Sequence, residues 1–218
     1  YDAHAHCYRH EDLKVALSGF VAGSPAISGI APYRHFVERQ VGAGRLTGGL
    51  VFPFPTTPVD IDSANAFLLA ELAADRACRG LLLVGPQSDR AQIVAQLDER
   101  IAGFKVYHLL GTQKPTFEAP IHTYTPDWVW EEADRRGLAV MLHMVRHKAL
   151  MDPDNQREIV GVCQRYPGMK LILAHCARGF HAPNTILGLD CLRGLPNVYF
   201  DTSGICEAPA IVALLQAF

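Results

Sequence analysis

The chain opens on Tyr1-Asp2-Ala3-His4-Ala5-His6-Cys7, which reads as a strand. Side chains alternate faces along a strand, so His4 and His6 project together, two residues apart on one face. Two imidazoles held side by side on a stiff backbone can grip one transition metal, which prefers nitrogen ligands. The pair equally suits a partly exposed strand with two polar residues, so its meaning depends on histidines farther along.

Short apolar runs recur downstream at residues 46–54, 80–85, 102–107, 138–143, 170–175 and 197–201, each read as a strand. Helix signals lie between them. Asp60 is placed to cap a helix with Ile61, Ala64, Leu68 and Leu72 on one stripe. Ser88 is expected to cap a second, with Ile93, Leu97 and Ile101 spaced four apart. Thr125-Pro126 starts a helix that Arg135-Arg136-Gly137 stops, and Trp128 and Trp130 in its first turns are expected to pack. Asp152-Pro153 starts another, ended by Pro167-Gly168, and residues 209–218 form a last one. The small-residue segment 8–45 is expected to hold one helix, over residues 33–41, and otherwise loop.

About seven strand–helix alternations predict an α/β fold of parallel strands with crossover helices. An open doubly wound sheet and a closed eight-stranded barrel both satisfy this. Polar residues gather where the strands end, as on the mouth of a TIM-type (β/α) barrel, and favour the barrel. An open sheet calls for a phosphate-binding glycine loop between its first strand and helix. The nearest stretch, Gly42-Ala43-Gly44-Arg45-Leu46-Thr47-Gly48-Gly49, precedes a strand instead of opening a helix.

With 218 residues, a formal charge of -2 and 49% hydrophobic residues, the chain is of ordinary globular composition. The balance leaves no electrostatic footprint for nucleic acid, and no apolar run approaches a membrane span. Cys7, Cys78, Cys163, Cys176, Cys191 and Cys206 form no Cys-x-x-Cys pair and mostly sit in apolar runs, so free thiols and a reducing cytoplasm are expected. The opening directly in a strand and the stop at Leu215-Gln216-Ala217-Phe218 predict a barrel domain over residues 1–218, truncated at both ends and without its eighth strand.

His143 and His175 each terminate an apolar run, and Lys105 lies within the fourth predicted strand. On a barrel these ends converge. Together, Asp2-Ala3-His4-Ala5-His6, Gly103-Phe104-Lys105, Leu142-His143, Ala174-His175-Cys176-Ala177-Arg178-Gly179 and Phe200-Asp201-Thr202-Ser203-Gly204 resemble the metal-dependent amidohydrolase superfamily. The likeness is to the branch with aminocarboxymuconate-semialdehyde decarboxylase and related hydrolases, and it spans nearly the whole chain in order.

That resemblance implies that His4, His6 and His143 hold one metal, Zn²⁺, which brings the pKa of a water to about 7. It implies a catalytic His175, as proton shuttle or stabiliser of developing charge. Arg178 is placed to bind a substrate carboxylate bidentately. In binuclear members a carboxylated lysine at the Lys105 position bridges two metals, with His143 and His175 on the second. In mononuclear members a lysine there stays an ammonium able to bind a substrate carboxylate, and this reading is preferred. The family's metal-binding aspartate ends the eighth strand, so Asp201, one strand early, is expected to orient its neighbours.

The remaining His10, His35, His108, His122, His147 and His181 are expected on the surface or in hydrogen bonds, with His108 and Tyr107 nearest the mouth. No Gly-x-Ser-x-Gly elbow and no Walker loop is present. The leading expectation is a hydrolase acting on an amide, lactone or related carbonyl of a small, carboxylated substrate. The alternatives are non-oxidative decarboxylation of an aromatic or unsaturated acid on the same metal site, and a non-catalytic barrel fragment. Oligomeric state is not encoded in any of these motifs.

Overall fold

The computed structural model describes residues 1–13 and 23–218. Part of the small-residue segment read as loop, residues 14–22, lies outside them. The chain forms two compact units. One comprises Tyr1–Val84 with Ser88–Ala102, the other Gly85–Gln87 with Gly103–Phe218.

In the first unit β1 (Asp2–Arg9) pairs in parallel with β3 (Gly49–Pro53), and β3 with β4 (Arg79–Val84). On the other edge of β1 lies a two-residue strand the sequence does not announce, β2 (Ile27–Ser28), antiparallel with Ser28 opposite Tyr8. Two residues are too short for periodicity to register. The short α1 (His10–Leu13) follows β1 directly.

The expected helix over 33–41 begins earlier, as α2 (Ile30–Val41), because Glu71 reaches over from α3 (Ile61–Ala74) to accept the Ile30 amide at 2.7 Å. A cap supplied from 41 residues away leaves no local signal. By contrast, Asp60 caps α3 as expected, accepting from the Ser63 amide at 3.1 Å. Buried Ala64, Leu68 and Leu72 form its inner stripe. Asn65 on the same helix is fully buried, and its side-chain amide bonds both the carbonyl and the N–H of Leu83 at 2.9 and 2.8 Å. Gly80 lets α3 lie against β4: a Cβ there would meet Leu72 Cδ1 at 2.5 Å.

The fourth helix is shorter than its apolar spacing suggests. α4 spans Arg90–Ala95, and its cap is Asp89, accepting from the Gln92 amide, in place of Ser88. Asp98 then takes the Arg100 amide at 2.8 Å, ending the helical register and releasing Ile101 to open β5 (Ile101–Tyr107).

The second unit continues β5 and adds β6 (Ala139–His143), β7 (Lys170–Leu173) and β8 (Val198–Phe200), all parallel. Register places Tyr107 opposite His143, and Leu173 opposite Phe200. Gly103 is required where β5 meets β6, since a Cβ would lie 1.8 Å from the Ala139 carbonyl oxygen. α5 (Asp127–Arg136) ends on Gly137 in the left-handed conformation, as its sequence predicts. Trp130 in it is buried, and Trp128 packs edge-on against Phe104.

α6 (Pro153–Arg165) is capped by Asp152, which accepts from the Asp154 and Asn155 amides. α7 (Ala182–Gly188) and α8 (Ala208–Ala217) complete the unit. Among the described residues no helix is long and apolar enough to cross a membrane.

Candidate active site

In the first unit, His4 and His6 stand on the same face of β1, with ring centroids 5.1 Å apart, while Ala5 and Cys7 between and after them are buried. Phe52 on β3 packs edge-on against both rings, at 4.8 and 4.7 Å, which fixes their orientation. Asp2 pins the start of the strand: its carboxylate accepts the His4 amide at 2.9 Å and the Tyr33 hydroxyl at 2.7 Å. The His-x-His pair therefore stands on a backbone held from both sides.

In the second unit the polar groups come from strand ends and the turns after them. Lys105, on β5, is fully buried. Burial pulls its ammonium down to about 7, against the opposing pull of the Asp201 carboxylate. His143 ends β6, 7% exposed, and its Nδ1 is buried without a hydrogen-bond partner among the described residues. Burial, then the charges of Lys105, His175, His108 and Arg178, hold its pKa well below the ordinary imidazole value. At neutral pH His143 is an uncharged donor ring, the form in which imidazole binds a metal. The His143 ring lies 4.2 Å from Tyr107, 5.7 Å from His108 and 5.0 Å from His175.

His175 departs from its expected place at the end of a strand. β7 stops at Leu173, and His175, Cys176, Ala177 and Arg178 follow with φ of 57, 52, 57 and 61°, a left-handed turn of four side-chain-bearing residues. Left-handed backbone costs an L-residue ~1–2 kcal/mol, so the neighbours must hold it. They do so through Asp201, whose side chain accepts the His175 amide at 3.1 Å and whose carbonyl accepts the Cys176 amide at 2.7 Å. Thr185 donates to the Cys176 carbonyl from the other side, at 2.7 Å.

The turn delivers Arg178 between two rings, its guanidinium carbon 4.7 Å from the Phe117 centroid and 5.7 Å from that of Phe180. With His147, His181 and Asn184 they line a cavity of about 320 Å³. Partial burial lowers the Arg178 pKa, and no described residue supplies it a hydrogen bond or an ion pair.

The structure thus brings Lys105, His143, His175 and Arg178 together in the second unit and pairs His4 with His6 in the first. His108, left by the sequence on the margin, is buried and donates from Nδ1 to the Thr116 carbonyl oxygen, 3.1 Å away. Its burial depresses the pKa to about 4. Of the histidines expected on the surface, His10 bonds Ser24 and His122 bonds Glu158. Sequence reasoning did not find Phe117 or Phe180. Phe180 sits two residues past Arg178 and had a local signal; Phe117 lies in a single 3-10 turn, Thr116–Glu118, and had none.

Comparison with known proteins bears on this arrangement. The family model described as amidohydrolase matches residues 1–218. A solved amidohydrolase from Burkholderia multivorans with bound HEPES has 18% identity and a TM-score of 0.68, over 100% of this chain and 79% of its own. A probable 2-pyrone-4,6-dicarboxylic acid hydrolase from Acinetobacter baumannii, solved with citric acid, has 16% identity and a TM-score of 0.65, over 99% and 76%. A putative 2-pyrone-4,6-dicarboxylic acid hydrolase from Pseudomonas putida has 19% identity and a TM-score of 0.60, over 99% and 77%. No curated protein sequence matches. At these identities the solved structures establish the fold, an α/β chain of the amidohydrolase barrel type. The match along the whole sequence goes further: this chain is an enzyme of the amidohydrolase family.

Proposed function

We propose that the protein is a metal-dependent hydrolase that opens a lactone, amide or related carbonyl of a small carboxylated substrate. The family match over all 218 residues carries the reading. His4, His6 and His143 would hold one divalent metal, Zn²⁺ by the chemistry of an all-imidazole donor set. The residues suit that role: two rings share one face of a rigid strand, and His143 offers a buried, uncharged nitrogen without a hydrogen-bond partner among the described residues. A bound divalent cation supplies Lewis acidity at the carbonyl and a water acidic enough to be deprotonated near neutral pH.

The remaining work falls to the chain's own groups. His175 takes and returns the proton, its ring 5.0 Å from that of His143. Arg178 binds a substrate carboxylate, since its planar fork is held between rings and has no carboxylate of its own. Lys105 adds a second positive group, with a single metal preferred over a carboxylated, bridging lysine. The free cysteines, four of them buried, suit the reducing cytoplasm.

The test is turnover and metal content together. Protein purified with zinc supplied should carry about one equivalent and consume a carboxylated lactone such as 2-pyrone-4,6-dicarboxylate, with water added and no carbon dioxide released. Carbon dioxide without net hydration would replace this reading by decarboxylation. Neither metal nor turnover would leave a non-catalytic barrel module.

A further inference from the structure

The left-handed turn at residues 175–178 ends in a hydrogen-bond chain that fixes more than the backbone. His175 Nδ1 lies 2.8 Å from the Ser203 carbonyl oxygen and 2.9 Å from Ser203 Oγ. A carbonyl oxygen only accepts, so Nδ1 must carry the proton. Ser203 Oγ in turn donates to Asp201 Oδ1 at 2.5 Å, which leaves its lone pairs free to share the Nδ1–H. The same Asp201 oxygen accepts the Ser203 amide at 3.0 Å and the His175 amide at 3.1 Å. One carboxylate thus ties both ends of the His175–Ser203 contact, and every donor in the chain has a defined direction. The nitrogen left over is Nε2, which is then the basic one. Asp201 is buried, 4% exposed, so this arrangement is shielded from competing water.

We propose that Asp201 and Ser203 are positioning residues, which lock His175 in the tautomer protonated at Nδ1 and aim Nε2 as its working nitrogen. The proposal rests on the hydrolase reading for what His175 does there, though the lock itself is independent of it. The logic is that of an orienting carboxylate behind a histidine base, with a serine interposed. It also explains why four residues tolerate left-handed backbone: the turn ties the chain after β7 to the Asp201 anchor after β8 through the His175 and Cys176 amides, and relaxing it would withdraw the ring.

Nitrogen-15 NMR of the histidine-labelled full chain tests the lock, with the His175 signals assigned by their loss in His175→Gln. Neutral His175 should give the pattern of a ring protonated at Nδ1; a ring protonated at Nε2 overturns the proposal. Asp201→Ala should lower kcat on 2-pyrone-4,6-dicarboxylate by about ten- to a hundredfold, with KM changed by less than about twofold. Asp201→Asn keeps an acceptor oxygen and should recover most of that loss, while Ser203→Ala, which keeps the carbonyl, should lose only about threefold.

Zinc lost from Asp201→Asn but kept by Ser203→Ala would overturn the proposal by making Asp201 a ligand. Should Asp201→Ala not fold, the Asn and Ser203→Ala variants carry the comparison. If no lactone is turned over, the hydrolase reading fails, but the tautomer and the exchange rates of the His175 and Cys176 amides still decide the lock. Protection of those amides that is equal in wild type and Asp201→Asn is expected, and fast exchange in wild type would contradict it.

Discussion

The two units hold their chemistry in different ways. In the first, two histidines sit two residues apart on one strand, braced by Phe52 and by Asp2. In the second, Lys105, His143, His175 and Arg178 come from two strands and a left-handed turn, and their orientation depends on partners as remote as Asp201 and Phe117. On one strand, local alternation alone puts both side chains on the same face. A site assembled from several turns is fixed by tertiary hydrogen bonds, and it fails when any of them is lost. The first unit is therefore tolerant and the second brittle.

Substitutions should expose that contrast. The largest effect is expected from the proposed metal donors: His6→Ala or His143→Ala should each cut turnover by roughly a thousandfold, as loss of Lewis-acid stabilisation does. Equal losses would join the two regions in one site, whereas activity that survives His6→Ala would separate them. Arg178→Ala should raise KM for a carboxylated lactone by about a hundredfold but leave an uncharged lactone nearly unaffected, the cost of a lost charge-assisted pair. Arg178→Lys should recover only part of this, because an ammonium cannot match the fork.

Two predictions concern stability. Gly103→Ala places a methyl on the Ala139 carbonyl and should destabilise the second unit by about 3 kcal/mol or more in urea unfolding. In the first unit, Asn65→Ala leaves both Leu83 backbone groups unpaired, a loss of about 1–3 kcal/mol for each in the same assay. A milder loss at Asn65 than at Gly103 would mark the first unit as the tolerant one.

The smallest effect is one of pH. Hydrogen bonds from Arg34 hold the Asp75 carboxyl below its ordinary value of 3.8. The unfolded chain then binds this proton more readily, so the pair stabilises the fold above about pH 3.8 and the gain disappears as pH falls through the folded value. Asp75→Asn should flatten that part of the acid limb of a urea-midpoint profile; an unchanged slope would show the pair to contribute nothing.

The same contrast governs what could be read from sequence. Asp60, Asp152 and Gly137 mark helix ends through their own side chains or backbone, and the structure uses each as a cap. The His4–His6 pairing follows from strand geometry, and His143 from its place at the end of an apolar run. The start of α2 escaped, because its cap is Glu71, and α4 ran short because Asp98 diverts the chain. The turn at His175 escaped too. Nothing in Ala174-His175-Cys176-Ala177-Arg178 favours left-handed backbone, which is imposed by Asp201 from 26 residues away. Local chemistry is legible in sequence; chemistry borrowed across the fold is not.

The central claim is that His4, His6 and His143 serve a single cation. Elemental analysis of the wild type, His6→Ala and His143→Ala, each purified identically with zinc supplied and checked for folding by circular dichroism, tests it directly. About one equivalent in the wild type and less than about a tenth in both folded variants is the predicted result. A folded wild type without metal, or zinc retained by either variant, would contradict it.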